Sequence, residues 1–195
     1  MYSIASNMPE AGRLILVTGP ARSGKSEWAE KLAIASQRSV TYIATAQSDP
    51  ADLEWQARIE HHRLRRPQDW AILQVPIELT HAIQTASEQD CLLIDSLGTW
   101  LANLLEQDES VWQQTEQELL TGLQQSRCQI ILVAEETGWG VVPAYASGRS
   151  FRDRLGRLVR RIGTIADPIY LVTAGYALNL KVLGCAIDQP AVQPI

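Results

Sequence analysis

Apolar and polar positions along the chain alternate between two rhythms. Short unbroken apolar runs read as buried parallel strands, and longer stretches with apolar residues three and four apart read as amphipathic helices. The runs at 13–18, 40–45, 91–95, 129–134 and 169–173 are of the first kind, and 180–183 is read as a final strand after a turn at Gly175. Residues 70–75 have the pattern of a further short strand. Helical spacing predicts helices from the end of the first strand to about Gln37, and over 51–66, 77–87, 97–105, 111–125 and 150–166. A turn at Ser48-Asp49-Pro50 opens the second of these, and Pro67 closes it. Strand and helix alternate without internal repeat or low-complexity linker. That order calls for a doubly wound α/β domain over 13–188, with its ligand at the carboxyl ends of the strands. Residues 1–12 read as a loose leader and 189–195, with two prolines, as an irregular tail.

Composition narrows the class. The chain has 195 residues, 46% apolar and 20% charged, which suits a globular domain with a sizeable core. Its net charge of −5 does not favour a nucleic acid or an anionic membrane as partner. Basic residues cluster locally instead, between Arg58 and Arg66 and between Arg149 and Arg161. Cys91, Cys128 and Cys185 are scattered, odd in number and set in apolar surroundings, so buried thiols in a reducing compartment are expected. There is no secretory signal pattern and no apolar run near the ~18 residues of a membrane span, so a cytoplasmic protein is expected.

The strongest chemical signal follows the first apolar run. Gly19-Pro20-Ala21-Arg22-Ser23-Gly24-Lys25-Ser26 fits G-x-x-x-x-G-K-[ST], the phosphate-binding P-loop, with the strand before it and the helix after it that the motif requires. Backbone N–H groups of such a loop turn inward on phosphate oxygens at the positive end of the helix dipole. Lys25 can reach the β- and γ-phosphates, and Ser26 can ligate Mg²⁺. Asp95 ends an apolar strand, where the magnesium-holding acid stands in this class; many buried strands also end in Asp without such a role.

His61 and His62 lie in the predicted helix over 51–66. On its wheel, His62 shares a side with Arg58, Arg65 and Arg66, whereas His61 continues the apolar line through Leu53, Ala57 and Leu64. A neutral imidazole is a competent nucleophile near pH 6.5, and neighbouring guanidinium groups favour that form. A solvated basic helix face carrying two histidines fits the same residues. In the last helix, Arg154, Arg157 and Arg161 form a stripe beside Phe151, Leu155, Leu158 and Ile162; a solvated face, phosphate contacts and a subunit contact are all open. His81 stands alone and reads as structural.

The motifs together resemble one family, the bifunctional adenosylcobinamide kinases and adenosylcobinamide-phosphate guanylyltransferases of cobalamin biosynthesis. The matching residues are Leu16-Val17-Thr18-Gly19 with Ala21-Arg22-Ser23-Gly24-Lys25-Ser26, Tyr42-Ile43-Ala44-Thr45-Ala46, and Arg58-Ile59-Glu60-His61-His62-Arg63 with Arg66-Pro67 and Trp70. They continue with Leu93-Ile94-Asp95, Asn103-Leu104-Leu105, Glu136-x-Gly138-x-Gly140-Val141-Val142-Pro143 and Phe151-Arg152-Asp153-x-x-Gly156. The resemblance implies a P-loop NTPase fold of the RecA-like kind, with a mostly parallel doubly wound sheet flanked by helices, and a homotrimer. It implies GTP and ATP as substrates, Mg²⁺, and adenosylcobinamide and its phosphate as acceptors. His62 would become guanylylated. Nucleotide contacts are implied from the P-loop, from Ala44, Thr45 and Ala46, and from Arg63, Leu64, Arg65 and Arg66. Gln74 stands where the family often has a nucleotide-contacting Glu. Pro20, Glu135 and Val159-Arg160 are further departures, replacing a frequent Gly, Asn and Asn-Gln. Another small-molecule P-loop kinase without guanylyltransferase activity is the alternative. A GTP switch is disfavoured, because no Asn-Lys-x-Asp guanine-reading motif is present.

Overall fold

The structure is a computed structural model, and it describes residues 12–47, 51, 57 and 65–187. The expected helix over 51–66 and the histidine pair therefore fall outside the described residues, apart from isolated positions. So do the leader up to residue 11 and the tail from residue 188.

Seven strands form one sheet: β1 (Leu14–Gly19), β2 (Ser39–Ala44), β3 (Ala71–Gln74), β4 (Asp90–Asp95), β5 (Gln129–Glu135), β6 (Ile169–Thr173) and β7 (Tyr176–Asn179). Their spatial order is β3-β2-β4-β5-β1-β6-β7, and every pairing is parallel except the β6–β7 hairpin. The described helices are α1 (Lys25–Ala35), α2 (Leu79–Thr85), α3 (Leu97–Asn103), α4 (Glu109–Gln125), α5 (Ala146–Ile165) and the short α6 (Leu180–Leu183).

Chain direction sorts the helices into layers. The β1-to-β2 connection runs one way along the sheet, while those into β4, β5 and β6 run the other. Right-handed crossovers then put α1 on one face and α2 to α5 on the opposite face. Two apolar clusters follow. Ile15, Val17, Leu93, Ile131 and Val133 pack with Ala29, Leu32 and Ala33 of α1. Leu14, Leu16, Ile94, Ile130 and Leu132 pack with Leu79, Trp100, Leu119, Leu155 and Leu158. Alternate residues of one strand thus feed opposite faces. β1 is buried along its whole length.

Trp100 and Trp112 are the largest fully buried side chains, 5.9 Å apart at their ring centroids. At ~25 cal/mol per Å² over roughly 200 Å², each contributes about 5 kcal/mol of gross burial. The Trp100 Nε1–H also donates to the carbonyl of Ile77 (2.9 Å), so the ring is buried without an orphaned donor. α4 starts at Asp108, whose carboxylate accepts the Val111 N–H at 3.0 Å and is held below the usual carboxylate range by that bond.

Four sequence expectations change. Residues 180–183 are a helix, not a strand. The closing strand is Tyr176–Asn179, set by a two-residue turn at Ala174 (φ 49°) and Gly175 (φ 81°). That left-handed pair matches the twist of a tight hairpin, and the Asn179 side chain then accepts the Lys181 N–H and turns the chain into α6. The arginine-rich helix begins at Ala146, four residues earlier than its apolar pattern suggests. The arginines of its stripe are not a plainly solvated face: each is paired, although Arg157 stays half exposed. Arg154 is buried and donates to the Gln107 carbonyl (2.9 Å), Arg157 pairs with Glu109 (3.0 Å), and Arg161 pairs with buried Glu116 (2.6 Å). They fasten α5 to α4. Finally, Cys91 and Cys128 are buried as expected but Cys185 is exposed, because the chain leaves the sheet after α6. His81 is exposed on α2.

Candidate active site

β1 delivers the P-loop to the carboxyl edge of the sheet, beside β5 and β6. Gly19 is demanded by its surroundings: a Cβ there would collide with the Val172 carbonyl of β6 and crowd the Ser23 hydroxyl. Gly24, in the left-handed region at φ 91°, sits at the N-cap position of α1, and the helical ladder starts with the Trp28 N–H to the Gly24 carbonyl (2.9 Å). Arg22 is also left-handed, at φ 59°. The chain thus curls between strand and helix, and the first-turn N–H groups of α1 have no acceptor within the helix. Successive left-handed and helical residues form the nest that suits an anion. Lys25 is buried and its Nζ donates to the Pro20 carbonyl at 3.2 Å, which folds the ammonium over the loop. Among the described residues the buried Ser23 hydroxyl has no protein partner, as a cradle for an oxyanion requires. Pro20 is compatible with this geometry: its carbonyl serves Lys25 and the Ser23 N–H.

Register lines up the other expected residues. Ala44 is level with Gln74 of β3 and with Asp95 of β4, and Asp95 is in turn level with Val133 of β5. Two strands further on, Gly19 is level with Glu135. Gln74, Ala44, Asp95 and the P-loop therefore share one edge. Asp95 shares with Leu93 and Cys91 the face that α1 covers. Its Oδ2 accepts the hydroxyl of Tyr42 (3.3 Å). Burial first, and then the Asp95 charge, push the Tyr42 phenol far above its ordinary range, so it stays a donor.

Thr45 is completely buried. Its hydroxyl donates to the Ser96 carbonyl (2.7 Å), lies 2.5 Å from the Thr99 hydroxyl, and accepts the Ser96 N–H (2.9 Å). The side chain is occupied in joining β2 to the start of α3, and the Ala44 carbonyl accepts the Val75 N–H (2.8 Å). Asn103 holds the segment from below, donating to the carbonyls of Thr45 (2.7 Å) and Pro76 (3.0 Å), while Gln74 Nε2 reaches the Ala46 carbonyl (3.2 Å).

Arg65 and Arg66 come to α1. Arg65 pairs with Glu27 (3.2 Å) and Glu30 (3.1 Å), and Arg66 approaches Glu30 (3.5 Å) while its guanidinium lies 3.2 Å above the Tyr42 ring centroid. The segment after the histidine pair is thereby tied to the helix that carries Lys25 and Ser26. His62, Arg63 and Leu64 lie outside the described residues.

Sequence reasoning missed Tyr42, Asn103 and Glu30 as supports, and it left Glu135 as a bare departure. Glu135 Oε2 accepts the Gly98 N–H (3.0 Å), and Glu136 Oε1 accepts the Thr18 hydroxyl (2.7 Å). Asn103, a polar residue at the end of an otherwise apolar helix, carried a readable signal. The others depend on strand register.

Of the groups on this edge, the Asp95 carboxylate and the Ser26 hydroxyl are those the sequence assigns to magnesium, and both are oxygen ligands of the kind it takes. Among the described residues no cluster of three or more His, Cys, Asp or Glu could hold a metal alone. No described helix is long and apolar enough to cross a membrane.

A family model described as cobinamide kinase / cobinamide phosphate guanyltransferase matches residues 15–180. A bifunctional adenosylcobalamin biosynthesis protein CobP from Pseudomonas aeruginosa is 42% identical over 168 residues, which cover 85% of this chain and 96% of that protein. The CobU protein of Escherichia coli is 37% identical over 86% of this chain and 99% of its own length. Among solved structures, a Pyrococcus horikoshii protein known as PH0250 superposes with a TM-score of 0.53 at 8% identity, covering 94% of this chain and 97% of its own. A type III secretion ATPase reaches 0.52 at 13% identity, over 84% of this chain and 53% of its own. At such identities these two speak for the fold alone.

Proposed function

The chain belongs to the cobinamide kinase / cobinamide phosphate guanyltransferase family, and on that premise we propose that it phosphorylates adenosylcobinamide and then guanylylates the product. Either ATP or GTP donates the phosphoryl group in the first step. In the second, GMP passes from GTP through a covalent GMP-histidine to adenosylcobinamide phosphate, giving adenosylcobinamide-GDP. The observation that carries this reading is the complete P-loop at Gly19–Ser26, set on the same sheet edge as Asp95.

The division of labour follows from the residues. The N–H groups of the loop and of the first turn of α1 hold the phosphates, and Lys25 offsets charge on the transferred γ-phosphoryl group. Ser26 and Asp95 would hold magnesium, which would supply positive charge to offset that of the phosphates. The backbone of Ala44, Thr45 and Ala46, with Gln74, lines the nucleotide side of the edge, and Arg63, Leu64, Arg65 and Arg66 complete it. His62 attacks the α-phosphorus of GTP, pyrophosphate leaves, and the phosphate of the acceptor then displaces the imidazole. Arg66, stacked on Tyr42, couples the segment bearing His62 to the strand pair that presents Asp95.

We place the enzyme in the cytoplasm, as one domain over 13–188 that assembles as a homotrimer. Exposed Tyr176, Leu178, Val182 and Leu183, on the edge strand β7 and on α6, supply an apolar surface suited to contact between copies. The reading is tested by supplying adenosylcobinamide with Mg²⁺ and either ATP or GTP. Phosphorylated product is expected with a nucleoside triphosphate, and conversion to the GDP derivative only where GTP is present. Phosphorylation that never proceeds to that derivative would leave a kinase alone.

A further inference from the structure

Beside the P-loop lies a cleft of about 260 Å³, walled by the end of β5 and by α5. Glu135, Glu136 and Gly138 form one side, and Arg152, Gly156 and Arg160 form the other. On α5 these last three recur at intervals of four, so they make one stripe of the helix. The cleft adjoins the phosphate site directly. Glu135 is the register partner of Gly19, the Glu136 N–H donates to the Gly19 carbonyl (2.9 Å), and Glu136 Oε1 accepts the hydroxyl of Thr18.

Three features of the cleft have no structural purpose among the described residues. Gly156 stands in the middle of a 20-residue helix, where glycine weakens the helix, yet a Cβ there would meet nothing within 4 Å. No neighbouring backbone demands it, and its missing side chain leaves the cleft open. Gly138 opposite is equally unconstrained. The Arg160 guanidinium, unlike those of Arg154, Arg157 and Arg161, has no ion-pair or hydrogen-bond partner among the described residues.

We propose that this cleft receives the hydroxyl-bearing arm of the phosphoryl acceptor, with Gly156 as the opening through which the arm passes and Arg160 as the group that meets the phosphate once it is transferred. This rests on the kinase and guanylyltransferase reading above. Two carboxylates in its wall disfavour a second polyanionic nucleotide, while carboxylates and guanidinium groups together suit a ligand with amide donors, amide acceptors and a terminal alcohol. The volume is below the ~300–1,000 Å³ of a pocket for a whole drug-sized ligand, so an aminopropanol arm fits and a corrin macrocycle stays outside. The site's place against Gly19 and Thr18 brings that alcohol to the phosphate end of the P-loop.

The test measures binding of adenosylcobinamide and of its phosphate by equilibrium dialysis, to wild type, Gly156→Leu and Arg160→Ala. Gly156→Leu should fold at least as well as wild type in a thermal melt, bind GTP unchanged, and bind both corrinoids about tenfold more weakly or worse. Gly156→Ala, with one methyl in open space, should show the same effect in smaller measure and guards against a misfolded Leu variant. Arg160→Ala should weaken the phosphate form more than the alcohol. Unchanged corrinoid binding by folded Gly156→Leu would overturn the proposal, as would wild type that fails to bind adenosylcobinamide. A wild type that binds but does not phosphorylate it counts against the assigned activity, and the Gly156 comparison still decides the cleft.

Discussion

The hydroxyl of Tyr42 donates to Asp95 Oδ2 across 3.3 Å, inside the face covered by α1, while Arg66 is stacked over the same ring. A buried phenol therefore aims the carboxylate assigned to magnesium. Tyr42→Phe keeps the ring and its stacking but frees Asp95, so the Mg²⁺ concentration for half-maximal activity should rise about threefold, the effect of one modest hydrogen bond. Asp95→Asn should raise it further, since a charged contact to the metal's shell is lost. The same phenol predicts an alkaline limit. Its folded pKa lies above the unfolded value of about 10, so this contribution to stability is full below pH ~10 and is lost as pH rises beyond it. Tyr42→Phe should flatten that limb in chemical denaturation measured between neutral and alkaline pH. A Tyr42→Phe enzyme with wild-type magnesium titration and wild-type alkaline unfolding would show that the contact positions nothing.

Lys25 is buried over the loop and bonded to one carbonyl, and on the proposed reading its charge serves the phosphates and not the core. Lys25→Ala should lower phosphoryl transfer by about 10²–10³-fold, the scale of losing one transition-state donor, and leave the thermal melt in place. Wild-type turnover in the folded variant would remove Lys25 from the chemistry.

Arg161 reaches buried Glu116 at 2.6 Å from α5 to α4. Arg161→Ala strands that carboxylate in the interior. Loss of one partner of a buried pair costs about 3–5 kcal/mol, and the partial exposure of Arg161 brings the expected loss to about 2 kcal/mol. Urea unfolding should register it with no change in KM for GTP. A KM effect without destabilisation would instead place Arg161 near a ligand.

Helix periodicity showed correctly that Arg154, Arg157 and Arg161 share a stripe, but not what faces it. Their partners, Gln107, Glu109 and Glu116, lie more than forty residues away and arrive only when α4 and α5 pack. The P-loop was legible because its strand, loop and helix are consecutive, and one glycine at Gly19 is dictated by a single neighbouring carbonyl. Asp95 was legible as an acid ending an apolar run, whereas Tyr42 was not read as its support, because that depends on the parallel register of β2 and β4. Residues 180–183 looked like a strand because their apolar content is strand-like. A two-residue turn and the Asn179 cap moved the pairing one element earlier.

The thiols give a compact check on burial. Cys91 and Cys128 are enclosed, and burial pushes the Cys91 thiol up to about 11 and raises that of Cys128, whereas Cys185 is exposed. Under native conditions near neutral pH, a disulfide reagent should modify Cys185 quickly and the other two only on unfolding, as mapped by peptide mass. Rapid native modification of Cys91 would mean that α1 does not cover β4 as described.

If one chain carries both a P-loop kinase and a histidine nucleophile, the intact mass of the protein after incubation with Mg²⁺ and GTP will register the second. Wild type should gain one GMP per chain, in a linkage labile to acid and stable to base, as a phosphorus–nitrogen bond is. His62→Ala should lose the adduct and the transferase step yet keep kinase activity, because in-line γ-phosphoryl transfer needs no imidazole. His61→Ala should still form the adduct. Wild type without any adduct would rule out the histidine nucleophile, and an acid-labile adduct that survives His62→Ala would rule out His62 as that residue.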